Sequence, residues 1–220
     1  MSSEPASMFL HEEIMLLALR DRKGTVPFGS MHGYALGGAV LAELLQARRI
    51  TVVTERRQLV DQLNPHALGE PVLDECLRKI ATAKRRASLQ TWVERCARLK
   101  RLHHRVAMGL CRRGVLRADE KTVLLIFRRN VYPELDPVPE RDLIERLRRA
   151  IFSDGGHVDP RTATLIALAN AAELLQMAFE RRALRQRKKR IKELSAGDLT
   201  GAATAEAVQT AQAAAITAAS

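Results

Sequence analysis

The stretch Asp159 to Phe179, DPRTATLIALANAAELLQMAF, carries the clearest helix signal in the chain. Asp159 followed by Pro160 is an N-cap with proline in the first turn, where the missing N–H costs nothing. Leu165, Leu168, Leu174, Leu175 and Phe179 then supply an apolar face. One long helix is therefore expected from Pro160, losing that face only in the basic run Arg181 to Lys192. Beyond Ser195 the residues are mostly Ala, Thr, Gln and Gly. Such a segment has little bulky apolar surface to offset its ordering, so residues 195–220 read as a low-complexity tail, disordered or a frayed isolated helix.

Upstream, the same helical period recurs. Leu10, Ile14, Leu17 and Ala18 form a stripe ending at the turn Asp21 to Gly24, and Val26 to Phe28 is short and extended. A second helix places Leu36, Val40, Leu41, Leu44 and Leu45 on one face, with Gly37 and Gly38 marking close helix packing. Ile50 to Val53 is a candidate strand. After a loop with Asn64, Pro65, Gly69 and Pro71, stripes resume at Val72, Leu73, Cys76, Leu77 and Ile80, and behind the N-cap Ser88 at Leu89, Trp92, Val93 and Cys96. From Arg98 to Arg113, Leu99, Leu102, Val106 and Leu110 line one face of a predicted helix, opposite Lys100, Arg101, His104 and Arg105. Gly114 stops it. A hairpin is expected next, with a polar turn at Arg117 to Thr122 and the apolar run Val123 to Phe127, closed by Arg128 and Arg129. A linker rich in proline leads to a helix carrying Leu143, Ile144, Leu147 and Ile151, and Asp154 to Gly156 make the last turn before Asp159.

The fold class is accordingly mainly α: a single compact helical domain over residues 8–194 with a small β-hairpin, flanked by a tail at residues 1–7 and the Ala-rich tail at 195–220. With aromatics at 4% of 220 residues, aliphatic side chains must fill the core. The net charge of +11 predicts attraction to phosphate-bearing partners, nucleic acid or anionic lipid. Cys76, Cys96 and Cys111 lie on apolar stripes with no metal or redox spacing, and read as core residues in a reducing compartment. The run Ile14 to Leu19 is too short to span a bilayer, and a cytosolic address is expected.

No catalytic constellation is legible, so no enzyme, metal or cofactor is expected. His11 with Glu12 and Glu13 lacks the second histidine of a zinc helix and reads as surface charge; His103 and His104 point about 100° apart on a helix and do not share a metal. The basic face at Lys100, Arg101, His104 and Arg105 is either a phosphate site or a solvated helix face. Val123 to Phe127 is either a buried strand or a membrane-inserting segment whose neighbours Lys121, Arg128 and Arg129 meet lipid phosphates.

Leu10 to Gly24 (LHEEIMLLALRDRKG), Gly37 to Leu45 (GGAVLAELL), Val72 to Ile80, Gly114 to Phe127 and Asp159 to Phe179, in that order, resemble the Golgi phosphoprotein 3 family. The Arg-rich, Ala-tailed character is similar to its prokaryotic members. The resemblance implies a peripheral membrane adaptor that recognises phosphatidylinositol 4-phosphate and, in eukaryotes, holds cytosolic tails of Golgi membrane proteins. It implies headgroup contacts at Lys100 and His103, where the family has an arginine pair, and a membrane-inserting hairpin tip at Val123, Leu124, Leu125, Ile126 and Phe127. The family's Trp and first Arg fall at Gly29 and Gly37, which leaves the headgroup open.

Two functional expectations result. The first is a peripheral adaptor, on the Golgi cytosolic face only if the source is eukaryotic, binding phosphatidylinositol 4-phosphate or other anionic lipid through Lys100, Arg101, His103, His104 and Arg105. The second is a nucleic-acid-binding module in which the helix Arg98 to Arg113 and the hairpin act as a winged helix. The wholly apolar run Val123 to Phe127 suits the first better than a polar wing lying along DNA.

Overall fold

The computed structural model describes residues 8–19, 30–53, 58–123, 127–153, 155–197 and 199–219. The expected tail at residues 1–7, the turn and extended segment between Asp21 and Gly29, Leu124 to Ile126, and Asp154 lie outside them.

Helix α2 (Ser30–Gln46) is the axis of the fold. Tyr34, Ala35, Leu36, Ala39, Val40, Leu41, Ala42 and Leu44 are all buried, so apolar side chains are packed on several faces of the helix rather than on one stripe, as a central helix requires, with Glu43 a buried exception. It is enclosed by α1 (Leu10–Ala18), α4 (Leu89–Ala97), α7 (Pro160–Ala171) and α11 (Leu199–Ala219). Its paired glycines make this possible on two sides at once. A Cβ on Gly37 would stand 2.6 Å from the Val93 carbonyl oxygen of α4, and one on Gly38 would collide with Val208 Cγ2 of α11. Both helices approach to backbone distance only because those side chains are missing.

The remaining elements cover this centre. Strands β1 (Ile50–Val53) and β2 (Leu59–Gln62) pair antiparallel, Ile50 opposite Gln62 and Val53 opposite Leu59. In α3 (Pro71–Ala81) the Glu70 carboxylate caps the start, accepting from the N–H groups of Val72 at 2.8 Å and Leu73 at 2.7 Å. Ser88 caps α4, as its position before the stripe suggested. Helix α5 (Leu102–Arg112) is followed by β3 (Asp119–Val123) and β4 (Phe127–Val131), then α6 (Val138–Phe152). After α7 come α8 (Leu175–Ala178), α9 (Arg181–Gln186) and α10 (Lys188–Gly197).

The mainly helical class and the hairpin after Gly114 match the expectation. The hairpin β1–β2 is an addition: β2 was legible only as part of a loop. Four local readings are corrected. The long helix from Pro160 breaks after Ala171, where Glu173 takes a left-handed φ of 59° and the chain restarts as α8. The Ala-rich segment is neither disordered nor isolated, because Thr204, Val208 and Ala211 of α11 are buried against α2, α4 and α7. Small residues offer little area each, but they let α11 seat closely on glycine-bearing α2. The polar stretch before Val123 is strand rather than turn, since Asp119 to Thr122 pair with Arg128 to Val131. Finally, no continuous helix runs from Arg98 to Arg113: α4 ends at Ala97 and α5 starts at Leu102.

A fifth correction concerns charge. His11, Glu12 and Glu13 are not a surface cluster but are buried in α1 at 0%, 4% and 3% exposure. Each acid has a cationic partner: Glu12 takes Arg113 at 2.6 Å, and Glu13 takes Arg146 at 2.6 Å. Glu43 of α2 accepts from Arg161 at 3.1 Å and from the Leu10 N–H at 2.7 Å. His11 Nε2 lies 3.5 Å from Glu70. Burial pushes the Glu13 carboxyl above its ordinary range, against the pull of Arg146 and Arg161.

Candidate functional site

Cys96 and Ala97 end α4, and residues 98–101 turn the chain into α5. Lys100 and Arg101 therefore sit at the apex of an interhelical turn rather than on a helix face, and both are exposed. Arg101 holds a left-handed backbone, φ 56° and ψ 35°, and its carbonyl accepts from the Arg105 N–H at 2.9 Å. For a residue with a Cβ that conformation costs roughly 1 kcal/mol or more, so packing around it must impose it. Among the described residues no side chain caps the α5 N-terminus. The Leu102 N–H donates to the Leu99 carbonyl at 3.1 Å, so the His103 and His104 N–H groups and the positive end of the helix dipole lie beside two exposed cations, an arrangement that suits an anion.

The other expected residues divide. His103 is half-buried, its Cε1 3.7 Å from where a Gly33 Cβ would stand, so it packs onto the N-terminal part of α2. Burial, then the neighbouring His32, holds its pKa below the usual histidine range. His104 turns to the hairpin end, with Nδ1 2.6 Å from the Tyr132 hydroxyl; burial and then Arg101 lower its pKa too. Both imidazoles are consequently neutral at pH 7. Arg105 points elsewhere: its guanidinium pairs with Glu75 and donates to the Pro71 carbonyl at 3.2 Å, tying α5 to α3. The structure thus brings Lys100, Arg101, His103 and His104 around the start of α5 and commits Arg105 to a fold contact.

Val123 and Phe127 are register partners in the antiparallel pair β3–β4. Leu124, Leu125 and Ile126 lie outside the described residues. Tyr132 and His32 were not singled out in the sequence; each reaches this region from a distant element, through contacts that no local pattern signals.

The Golgi phosphoprotein 3 (GPP34) family matches the chain over residues 10–211. The chain belongs to that family. It is also similar to a vacuolar protein sorting-associated protein 74 from Schizosaccharomyces pombe, 26% identical over 204 residues. That match covers 78% of this chain and 60% of the relative's length. The matched span reaches well into α11, consistent with that helix belonging to the domain. Among the described residues no helix is long and apolar enough to cross a membrane, and no group of histidine, cysteine and acidic side chains is placed to hold a metal ion.

Proposed function

We propose that this GPP34-family protein is a non-catalytic peripheral membrane adaptor that binds anionic lipid headgroups at the start of α5. The observation that carries the reading is the uncapped α5 N-terminus flanked by exposed Lys100 and Arg101. A phosphomonoester headgroup would take hydrogen bonds from the His103 and His104 N–H groups and charge from Lys100 and Arg101. His103 and His104, neutral at pH 7, would act as hydrogen-bond donors at the rim. Phosphatidylinositol 4-phosphate is the headgroup, and cytosolic tails of membrane proteins the cargo, that the family resemblance of the sequence implies. The apolar segment Val123 to Phe127 would enter the acyl boundary and add apolar binding energy to the electrostatic contact.

Sedimentation with liposomes tests this, using neutral lipid alone or with phosphatidylserine or phosphatidylinositol 4-phosphate, at low and high salt. Co-sedimentation with the phosphoinositide vesicles, weakened by salt and by Leu125→Asp, is the expected result. Failure to bind any anionic vesicle would reject the reading. Steep salt-dependent retention on DNA in its place would favour the winged-helix alternative.

A further inference from the structure

The helix pair α3–α4 holds a chemical feature that the adaptor reading leaves unused. Cys76 of α3 and Cys96 of α4 are 20 residues apart in sequence, yet their sulfurs are 2.6 Å apart. Both are free thiols, exposed by 0% and 1% respectively. Two sulfurs that are merely packed stand well beyond this separation, whereas a disulfide bond measures about 2.0 Å, so a shift of roughly half an ångström closes one. The third cysteine, Cys111 of α5, is only partly buried and has a separate environment. The odd cysteine count thus resolves into a facing pair and a single thiol.

We infer that Cys76 and Cys96 are a modification site: a dithiol that a low-molecular-weight disulfide oxidises to an intramolecular cross-link between α3 and α4. The step balances as thiol–disulfide exchange. One protein thiolate attacks the small disulfide, forming a mixed disulfide and releasing one small thiol. The second protein thiolate then attacks the protein sulfur of the mixed disulfide, forming the Cys76–Cys96 bond and expelling the second small thiol. Two electrons and two protons pass from the protein to the reagent. The hydrogen bond to Cys76, with burial behind it, pushes the Cys96 thiol well up, so thiolate is scarce and the first attack waits for the α3–α4 seam to open. Once the mixed disulfide exists, the facing sulfur makes closure fast.

The placement gives the cross-link a consequence. Helix α4 leads directly into the Lys100–Arg101 turn, and α3 holds α5 through the Glu75–Arg105 ion pair. A bond between Cys76 and Cys96 therefore fastens together the two helices that frame the start of α5. Because it closes a short loop in the unfolded chain, it raises thermal stability as well.

The experiment uses the full chain and oxidised glutathione, in buffer and again at a urea concentration just below the unfolding midpoint, where the seam opens. Thiols are counted after full denaturation, and peptides are mapped without reduction. Expected are a fall from three titratable thiols to one, a peptide linking Cys76 to Cys96 lighter by two hydrogen atoms, and a melting temperature higher by roughly 5–10 °C that reduction reverses. Cys111→Ser should retain the cross-link. Three thiols surviving in both conditions, or glutathione found only on Cys111, would overturn the inference. None of these three readouts depends on lipid binding, so the result stands apart from the adaptor proposal.

Discussion

Two regions of this protein use arginine in opposite ways. Around α1 and α2, Arg113, Arg146 and Arg161 reach inward to the buried carboxylates of Glu12, Glu13 and Glu43. At the α4–α5 turn, Arg101 and its neighbour Lys100 are exposed at the head of a helix that no side chain caps. The first group is consumed by the fold, and the second is the pair proposed to meet an anionic headgroup. A surplus of basic residues says nothing about which is which; only the location of the acids does. Arg105 shows the boundary, since one turn into α5 it is already committed to Glu75.

The largest effect should come from breaking the inward set. Glu43→Ala takes from the mostly buried Arg161 its nearest carboxylate, leaving it only the more distant Glu13 at 4.0 Å, and leaves the Leu10 N–H without its acceptor, costing roughly 3 kcal/mol by urea denaturation. A loss under 1 kcal/mol would show that solvent already satisfies this network. Gly37→Ala probes the close seating of α2 on α4. Its methyl group meets backbone of α4 rather than a side-chain end that can swing aside, so a cost of about 1–3 kcal/mol is expected by the same assay. Gly38→Ala, which meets a Val208 methyl group, should cost less; the reverse order would contradict the described seating of α4 and α11.

Arg105→Glu should fall between the two regions. It places a second carboxylate beside Glu75 and removes the tie to α3, lowering stability by about 1–2 kcal/mol. If that variant is as stable as wild type, Arg105 belongs with the exposed set after all.

The smallest effect concerns Glu140 in α6, outside both groups. Burial, then the shared hydrogen bond and charge of Glu134, raises its pKa to about 7 from an ordinary value near 4.5. A raised folded-state pKa means that the protonated form contributes stability at pH 4, and that this contribution is lost as pH rises through 7. Glu140→Gln should therefore melt higher than wild type at pH 8 and within error of it at pH 4. A pH-independent difference would exclude the shared proton.

How much of this was legible in the chain depends on the range of the contacts. The Ser88 and Asp159 caps, the stripes of α3, α4 and α6, and the packing role of Gly37 and Gly38 rest on local spacing, and spacing predicted them. The burial of Glu12 and Glu13 did not, because an acidic pair at a helix start looks the same whether it faces water or arginines more than one hundred residues away. Likewise α11 has too few bulky side chains to announce itself as core, and its place depends on glycine in a different helix. The break at Arg98 to Arg101 was hidden by an apolar period that continues across it, Leu99 inside the turn and Leu102 just after it both being buried. Cys76 and Cys96 each read correctly as core, but their contact is a property of the helix pair.

The central claim is that the turn cations bind while the inward arginines fold. Its most direct test is the double variant Lys100→Glu with Arg101→Glu, measured for co-sedimentation with phosphatidylinositol 4-phosphate liposomes and for urea unfolding on the same preparation. The account predicts at least a tenfold loss of vesicle binding, about 1.4 kcal/mol, with stability within roughly 0.5 kcal/mol of wild type. Vesicle binding equal to wild type, or a loss of binding that merely follows unfolding, would contradict it.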